Sequence, residues 1–303
     1  MQTDPQCIPC VIKQCERLVY VLRASDSMAE ETGRILTQIR HHALEIASQL
    51  TLQDPPSKFT SQVLAKVYEL LDTEDPYASV KKTQNESGKK IYGFVQKEVV
   101  KSPDPIHTAI KFAACGNIID VGPAEIYSSH DPRVPILDEI NKMVTLPLVI
   151  DDYKIFKEKF RSAEQILYIL DNSGEIFLDK LLIEKLKGPE ITMVVKASAI
   201  LNDAMKQDAI FAGLDSLGKI ITVNKNNSCR YLGVDFSCVS DEFNEAFDSA
   251  DIVIAKGHAN FESLIDCERD CFFILMAKCP VVAQKLGVNI KDRVFYYSSI
   301  KGD

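Results

Sequence analysis

The sequence predicts an α/β protein, a three-layer sandwich around a mostly parallel sheet, preceded by an all-helical subdomain. From residue 146 onward, short apolar runs alternate with amphipathic helical segments, which is typical of parallel strands covered by helices on both faces. In the first 115 residues, apolar residues recur instead at spacings of three and four, which favours helices. We therefore predict a helical subdomain over residues 1–115 and an α/β domain over residues 116–303.

The helical subdomain is predicted to be interrupted by prolines. Residues 1–50 keep the helical spacing of apolar residues, and the pair Pro55 and Pro56 ends that segment. The same spacing predicts further helices over residues 57–72, 78–101 and 105–115.

The α/β domain is predicted from six apolar runs. The predicted strands cover residues 166–170, 191–195, 220–223, 251–255, 271–276 and 294–297. Four helices are predicted before and between the strands. Two cover residues 151–161 and 241–247, one begins near residue 176, and one ends at residue 211. Because the runs are almost continuously apolar, they indicate strands that are buried on both faces of the sheet.

Composition excludes several classes of partner. The 303 residues include 35 basic and 43 acidic ones, for a net charge of −8, and no polybasic tract occurs, so we expect no binding to nucleic acid. No apolar run approaches the length of a transmembrane helix, and the N-terminus lacks the pattern of a signal peptide. We therefore expect a cytoplasmic protein without membrane contact, in which most of the nine cysteines are reduced thiols.

The most informative segment is a strand that enters a helix through a short polar loop, within residues 165–187. In open α/β sheets, the carboxyl end of a parallel strand is the edge where ligands bind. Oxygens of aspartate and asparagine are the ligands that Mg²⁺ and Mn²⁺ prefer, and glycine permits a close backbone approach. Alternatively, the loop only caps the following helix. The loop consists of Asp171, Asn172, Ser173, Gly174 and Glu175.

Three other predicted strand ends carry polar groups. Asn202 and Asp203 come after the next strand, Lys256 ends a third, and Lys278 follows a fourth. Because parallel strands bring their carboxyl ends to one edge, we expect these groups to converge with the polar loop. Aspartates with an amide form a site for a hard cation, and lysine neutralises phosphate oxygens. Since the glycine patterns of dinucleotide-binding loops and P-loops are missing, the sequence favours metal-assisted chemistry on a small phosphorylated compound.

The N-terminus contains a C-x-x-C motif formed by Cys7 and Cys10. Such motifs occur in zinc sites and in redox pairs, but here no second C-x-x-C follows at zinc-finger spacing and no βα pattern surrounds the motif. Three interpretations stay open: buried thiols at a helix start, part of a second metal site, and a redox pair. Nothing in the sequence pairs Cys229 with Cys238.

Together, these motifs resemble the DUF89 family, whose members are called damage-control phosphatases or acidic-residue-methyltransferase-like proteins. The resemblance rests on the loop at residues 171–175, the pair at residues 202–203 and the segment KGHANFE at residues 256–262. The C-x-x-C and the loop at residues 116–120 resemble the microbial branch of the family. The resemblance covers nearly the whole chain, and it implies a divalent-metal-dependent phosphatase that acts on small phosphometabolites.

The resemblance also implies roles for individual residues. It assigns metal binding to Asp171, Asn172 and Asp203, with Mg²⁺, Mn²⁺, Co²⁺ or Ni²⁺ as the metal. The nucleophile is then either a metal-activated water or the Asp171 carboxylate, and Glu175 or Asp120 handles the proton. The resemblance places Lys256, Gly257 and Asn260 at the phosphate, and we further predict phosphate or substrate contacts for Asn117, Ser173, Gly174, Asn202 and Glu262.

One residue departs from the pattern, and two other functions stay open. His258 stands where a small or flexible residue is expected, while Lys256 before it would stabilise charge on the phosphoryl group. An α/β sheet can also host S-adenosylmethionine, so a carboxyl methyltransferase is one alternative, although no glycine-rich loop follows a first strand. A non-catalytic metal or redox module built on Cys7 and Cys10 is the other. The sequence names neither the physiological substrate nor the oligomeric state.

Overall fold

The computed structural model describes residues 1–23, 29–49, 51, 53–116, 136–225 and 229–300. It confirms the predicted class, because a seven-stranded, mostly parallel sheet follows a set of N-terminal helices. No described helix combines the length and the apolar character that a membrane crossing requires. The helices before the sheet are α1 (Cys7–Arg23), α2 (Ala29–Gln49), α3 (Pro56–Leu70), α4 (Ala78–Lys101), α5 (Pro105–Ala113) and α6 (Ile136–Thr145).

The remaining elements alternate between strand and helix. The strands are β1 (Ile150–Asp151), β2 (Gln165–Ile169), β3 (Glu190–Val195), β4 (Lys219–Thr222), β5 (Ile252–Lys256), β6 (Cys271–Met276) and β7 (Arg293–Ser298). The helices are α7 (Tyr153–Phe160), α8 (Ile176–Ile183), α9 (Lys206–Phe211), α10 (Asp241–Ser249), α11 (Gly257–Leu264) and α12 (Pro280–Leu286).

Local signals explain several helix starts. Pro56, Pro105 and Pro280 each lie in the first turn of a helix, where a missing backbone N–H costs nothing. The side chains of Asp104 and Ser240 cap α5 and α10 by accepting a hydrogen bond from the backbone N–H three residues ahead. These starts therefore follow from residues close in sequence.

The sheet has the strand order β1-β7-β6-β5-β2-β3-β4. All neighbouring strands pair in parallel except β6 and β7, which are antiparallel to each other. The edge strand β1 pairs in parallel with β7. The predicted helix over residues 151–161 was wrong at its start, because Ile150 and Asp151 pair with Val294 and Phe295 as a short edge strand. Two residues are too few to produce a recognisable strand pattern.

Alternation along the strands divides the core into two layers. Ile166 and Tyr168 of β2 face a cluster shared with α4 to α9, whereas Leu167 and Ile169 face a cluster shared with α10 to α12. Helices therefore cover both faces, as the continuous apolar runs predicted.

Helices α1 to α3 form a third apolar cluster of their own, which also includes Ile200 and Leu232 from the α/β part. Helices α4 and α5, in contrast, share the core of one sheet face. The division into two domains at residue 115 stays a prediction. The packing shows that α4 and α5 cover one face of the sheet.

Candidate active site

The candidate site lies at the carboxyl ends of the central strands. The chain builds β2, β3 and β4 outward in one direction, and then β5 and β6 outward from the other side of β2. Adjacent strands β2 and β5 thus flank a point where the strand order reverses, which is where open α/β sheets bind ligands. Asp171 follows β2 at this point, and Gly257 follows β5.

Backbone hydrogen bonds join the loop after β2 to the loop after β3. The Ala204 N–H donates to the Asp171 carbonyl at 2.7 Å, and the Ser173 N–H donates to the Asn202 carbonyl at 2.8 Å. Between these two bonds, Asn172 and Asp203 form an isolated antiparallel bridge. The structure therefore brings together the three predicted metal ligands, although they are separated by about thirty residues in sequence.

Two glycines permit the close packing of this site. Gly174 and Gly257 both have positive φ, of 76° and 78°, which other residues rarely adopt. A Cβ on Gly174 would lie 2.5 Å from the Gln84 carbonyl oxygen of α4, and a Cβ on Gly257 would lie 1.8 Å from Asp171 Oδ2. Gly257, which belongs to the predicted substrate loop, thus leaves the space that the Asp171 carboxylate occupies.

Asp171 is buried beside two other carboxylates, Glu175 and Asp203. Burial raises its pKa well above the ordinary value, and the neighbouring carboxylates of Glu175 and Asp203 raise it further. Lys278 and Lys256 act in the opposite direction. A divalent cation would relieve this repulsion, and the two aspartates with the Asn172 amide provide the hard oxygen ligands that it prefers. The residues present therefore fit a hard metal ion.

Lys256 was predicted to contact the phosphate, and this role stays a prediction, because the fold shows only its contacts with two buried carboxylates. Its side chain is 0% exposed, and its Nζ lies 2.6 Å from Glu175 Oε1 and 2.8 Å from Asp179 Oδ1. Although burial acts to lower the pKa of Lys256, the carboxylates of Asp179 and Glu175 raise it above its usual range. Tyr168 also donates a hydrogen bond to Asp179. The contacts of Lys256 thus indicate a buried counter-ion behind the loop.

Glu175 and Asn260 stabilise the site through buried hydrogen bonds. Glu175 is fully buried and accepts a hydrogen bond from Asn172 Nδ2 at 3.2 Å. Asn260 Nδ2 donates to the carbonyls of Leu170 and Lys256 and so ties the end of β2 to the end of β5. Within the described ranges, the buried atoms Ser173 Oγ and Asn260 Oδ1 have no hydrogen-bond partner in the protein. Polar atoms of this kind are expected where a ligand binds.

Two other predicted residues contact the N-terminal helices through their side chains. The Glu262 carboxylate accepts a hydrogen bond from the Ser57 backbone of α3, and burial raises its pKa to about 7. Asn202 Nδ2 donates to Gln84 Oε1 of α4 at 3.2 Å. Asn117 and Asp120 fall outside the described residues.

The cysteines of the C-x-x-C motif lie in the first turn of α1. Burial raises the pKa of the Cys7 thiol to about 11, and Glu262 and Cys279 contribute to this rise, so the motif faces α11 and α12. Cys10 Sγ accepts a hydrogen bond from Gln14. A metal or redox role for the two thiols stays a prediction.

The structure pairs Cys229 with Cys238 as a disulfide, which the sequence did not indicate. The other seven cysteines are free thiols, in agreement with the expectation for most of them. Asp235 lies beside the disulfide, and the ligand atoms of these three residues are within 4.8 Å of one another. In the described ranges this is the one such group of cysteine, histidine and carboxylate side chains.

Sequence reasoning missed several residues around the site. Lys196 directly follows β3, and its Nζ lies 3.7 Å from Asp203 Oδ2, so the rule that polar groups at strand ends converge could have found it. Asn85 of α4 accepts a hydrogen bond from the Gly174 backbone N–H. A polar group in the buried stripe of an amphipathic helix was the available signal for Asn85.

Fold and site together define an α/β protein with a buried cluster of acidic side chains, located where the strand order reverses. Comparison with known proteins agrees with this class. Residues 3–294 match the model of the damage-control phosphatase ARMT1-like domain. A damage-control phosphatase from Pyrococcus horikoshii is 34% identical over 297 residues, which is 95% of each chain.

Two further comparisons cover almost the whole chain. A damage-control phosphatase from Archaeoglobus fulgidus is 30% identical over 298 residues, with 97% of this chain and 98% of that protein covered. The crystal structure of a DUF89 family protein from Pyrococcus horikoshii superimposes with a TM-score of 0.85 at 32% identity, covering 99% of this chain and 100% of that one. The chain therefore belongs to the damage-control phosphatase family, also called DUF89.

Proposed function

We propose that the protein is a divalent-metal-dependent phosphatase that hydrolyses small phosphorylated metabolites. One observation carries the proposal: the backbone bridge between the loops after β2 and β3 brings Asp171, Asn172 and Asp203 together in one buried site. Family membership supports the same activity, since relatives are named damage-control phosphatases.

In this proposal, Asp171, Asn172 and Asp203 hold the metal. When bound, the cation neutralises phosphoryl charge and supplies an activated water. Lys278, which acts electrostatically on Asp171 from the end of β6, is the cation we assign to the phosphoryl oxygens. We also assign substrate orientation to the buried Ser173 hydroxyl, because its Oγ has no hydrogen-bond partner among the described residues. Lys256 forms ion pairs with Glu175 and Asp179 and so orders both carboxylates next to the loop.

Metal removal should abolish phosphate release. Metal-stripped protein should release no phosphate from an aryl phosphate or from sugar phosphates, and activity should return when Mg²⁺, Mn²⁺, Co²⁺ or Ni²⁺ is added. Phosphate release is measured colorimetrically after chelation and after each addition. Release that persists in the metal-free protein would contradict the proposal. If no metal restores release, calorimetric titration with S-adenosylmethionine tests the methyltransferase alternative.

Replacing Gly257 by alanine should displace Asp171. The new Cβ would overlap Asp171 Oδ2, so we expect metal-dependent activity to fall by about 100-fold. The left-handed backbone adds a loss of about 1–2 kcal/mol in the free energy of unfolding. Gly287→Ala is the matched control, because Gly287 has φ of 68° and no atom within 4 Å of an added Cβ. Equal activity loss in both variants would refute the steric argument.

A further inference from the structure

Helix α4 presents an unusual polar surface to the candidate site. Lys81, Gln84, Asn85 and Gly88 are all buried, although three of them are polar or charged. Their positions follow helical spacing, so they lie on one face of α4. A Cβ on Gly88 would lie 2.3 Å from the Gly174 carbonyl oxygen, which shows how closely this face contacts the loop after β2.

Asn85 binds the loop after β2 through its carboxamide oxygen. The Gly174 backbone N–H donates to Asn85 Oδ1 at 2.8 Å, and both groups are buried. Gly174 is the fourth residue of the loop that begins with Asp171, and its backbone has a left-handed conformation. One side chain of α4 therefore holds the backbone of the loop that carries two predicted metal ligands.

The amide nitrogen of Asn85 binds the other half of the site. Asn85 Nδ2 donates to Asp208 Oδ1 at 2.7 Å, and Asp208 Oδ2 accepts a hydrogen bond from the Met205 backbone N–H at 2.9 Å. Met205 precedes α9 and stands two residues after Asp203. A donor at Gly174 and an acceptor at Asp208 also determine the orientation of the Asn85 amide.

We infer that Asn85 and Asp208 are a positioning pair, which sets the distance between the loop with Asp171 and the loop with Asp203. The inference rests on the proposed function, because the distance matters only if both loops bind one metal. Asp208 could cap α9 without Asn85, and Asn85 could bind Gly174 without Asp208. Their mutual hydrogen bond makes one connection from Gly174 to Met205. The pair acts on the ligands through the backbones of Gly174 and Met205, and residues that hold metal ligands in place change metal affinity by about 10–100-fold.

Exchanging the two side chains tests the pair. Asn85→Asp replaces the donor of the 2.7 Å hydrogen bond to Asp208 by a second carboxylate. The two carboxylates repel each other, so the hydrogen bond between positions 85 and 208 is lost. In Asp208→Asn, one carbonyl oxygen cannot accept from both Asn85 and Met205 in the native geometry. In the double variant, an aspartate at position 85 accepts from Gly174 and from the new amide, whose oxygen accepts from Met205. Every hydrogen bond is then restored.

The primary measurement is Mn²⁺ affinity of the metal-stripped protein by calorimetry, without substrate. We expect each single variant to bind Mn²⁺ about 10–100-fold more weakly, and the double variant to return to within about threefold of the wild type. Glu86→Gln, an exposed change on the same helix, should leave the affinity unchanged. Wild-type affinity in both single variants, or a double variant no better than the weaker single one, would overturn the inference.

Hydrogen exchange separates failure of the pair from failure of the proposed function. In the metal-free protein, the amides of Gly174 and Met205 should exchange faster in each single variant and recover in the double variant. If the wild type binds no Mn²⁺, the proposed function fails, and the inference that depends on it falls too. If the wild type binds Mn²⁺ but the exchange of these two amides is unchanged in the single variants, the pair alone is refuted.

Discussion

Replacing Asp171 by asparagine is expected to abolish metal-dependent phosphate release, with kcat/KM reduced by about 1,000-fold or more. Asp171 lies at the centre of the site. Its carboxylate accepts a hydrogen bond from Asn172 Nδ2, and its backbone carbonyl accepts one from the loop with Asp203. The missing side chain of Gly257 leaves room for the carboxylate. Asparagine keeps this shape but removes the negative charge that would bind the cation. Steady-state rates over a range of Mn²⁺ concentrations measure the effect.

The same variant should be at least as stable as the wild type when metal is absent. Because burial and the charges of Glu175 and Asp203 raise the pKa of Asp171, its ionised form is disfavoured in the folded protein above the ordinary pKa of aspartate. Removing the charge therefore removes a cost near neutral pH. Urea denaturation of the metal-free protein measures this, with Asp215→Asn at an exposed position as the control. An active Asp171→Asn variant would place the reaction elsewhere.

Replacing Lys256 by methionine is expected to lower the free energy of unfolding by about 3–5 kcal/mol. The ammonium group is the shared partner of Glu175 and Asp179, and all three side chains are 0% exposed. Without it, two buried carboxylates repel each other and must be protonated or hydrated. Urea denaturation at neutral pH measures the loss, because both carboxylates are ionised in the unfolded chain at that pH.

A compensated variant separates the electrostatic effect from simple loss of packing. Combining Lys256→Met with Glu175→Gln and Asp179→Asn removes the unpaired charges, so most of the stability should return. Lys219→Met is the control, since Lys219 pairs with Glu242 at an exposed position and should change stability by about 0.5 kcal/mol or less. If Lys256→Met unfolds like the wild type, the buried ion-pair argument is wrong.

The sequence was sufficient to place most strands because their signal is local. The run predicted over residues 271–276 coincides with β6, and the run over residues 166–170 is displaced by one residue from β2. Apolar runs and the prolines at helix starts act within a few residues, so they can be read without knowledge of the fold. The short strand β1 has no such signal, because its pairing with β7 depends on residues about 140 positions away.

For the candidate site, residue type was readable but orientation was not. The polar groups after β2 and β3 were predicted to converge, and parallel topology brings them together through the bridge between Asn172 and Asp203. Lys256 was predicted to face a phosphate, yet its contacts are with Glu175 and Asp179. A lysine at a strand end can point to either side of the sheet edge, and only its neighbours determine which side.

Fold class, strand positions and the residue types of the site thus follow from short-range patterns in the chain. The antiparallel direction of β7, the burial of Lys256 and the pairing of Asn85 with Asp208 follow from contacts between distant segments. Residues 85 and 208 are 123 positions apart, and no periodicity relates them. They meet because α4 packs against both α8 and α9, so that buried polar groups must find partners where that packing places them.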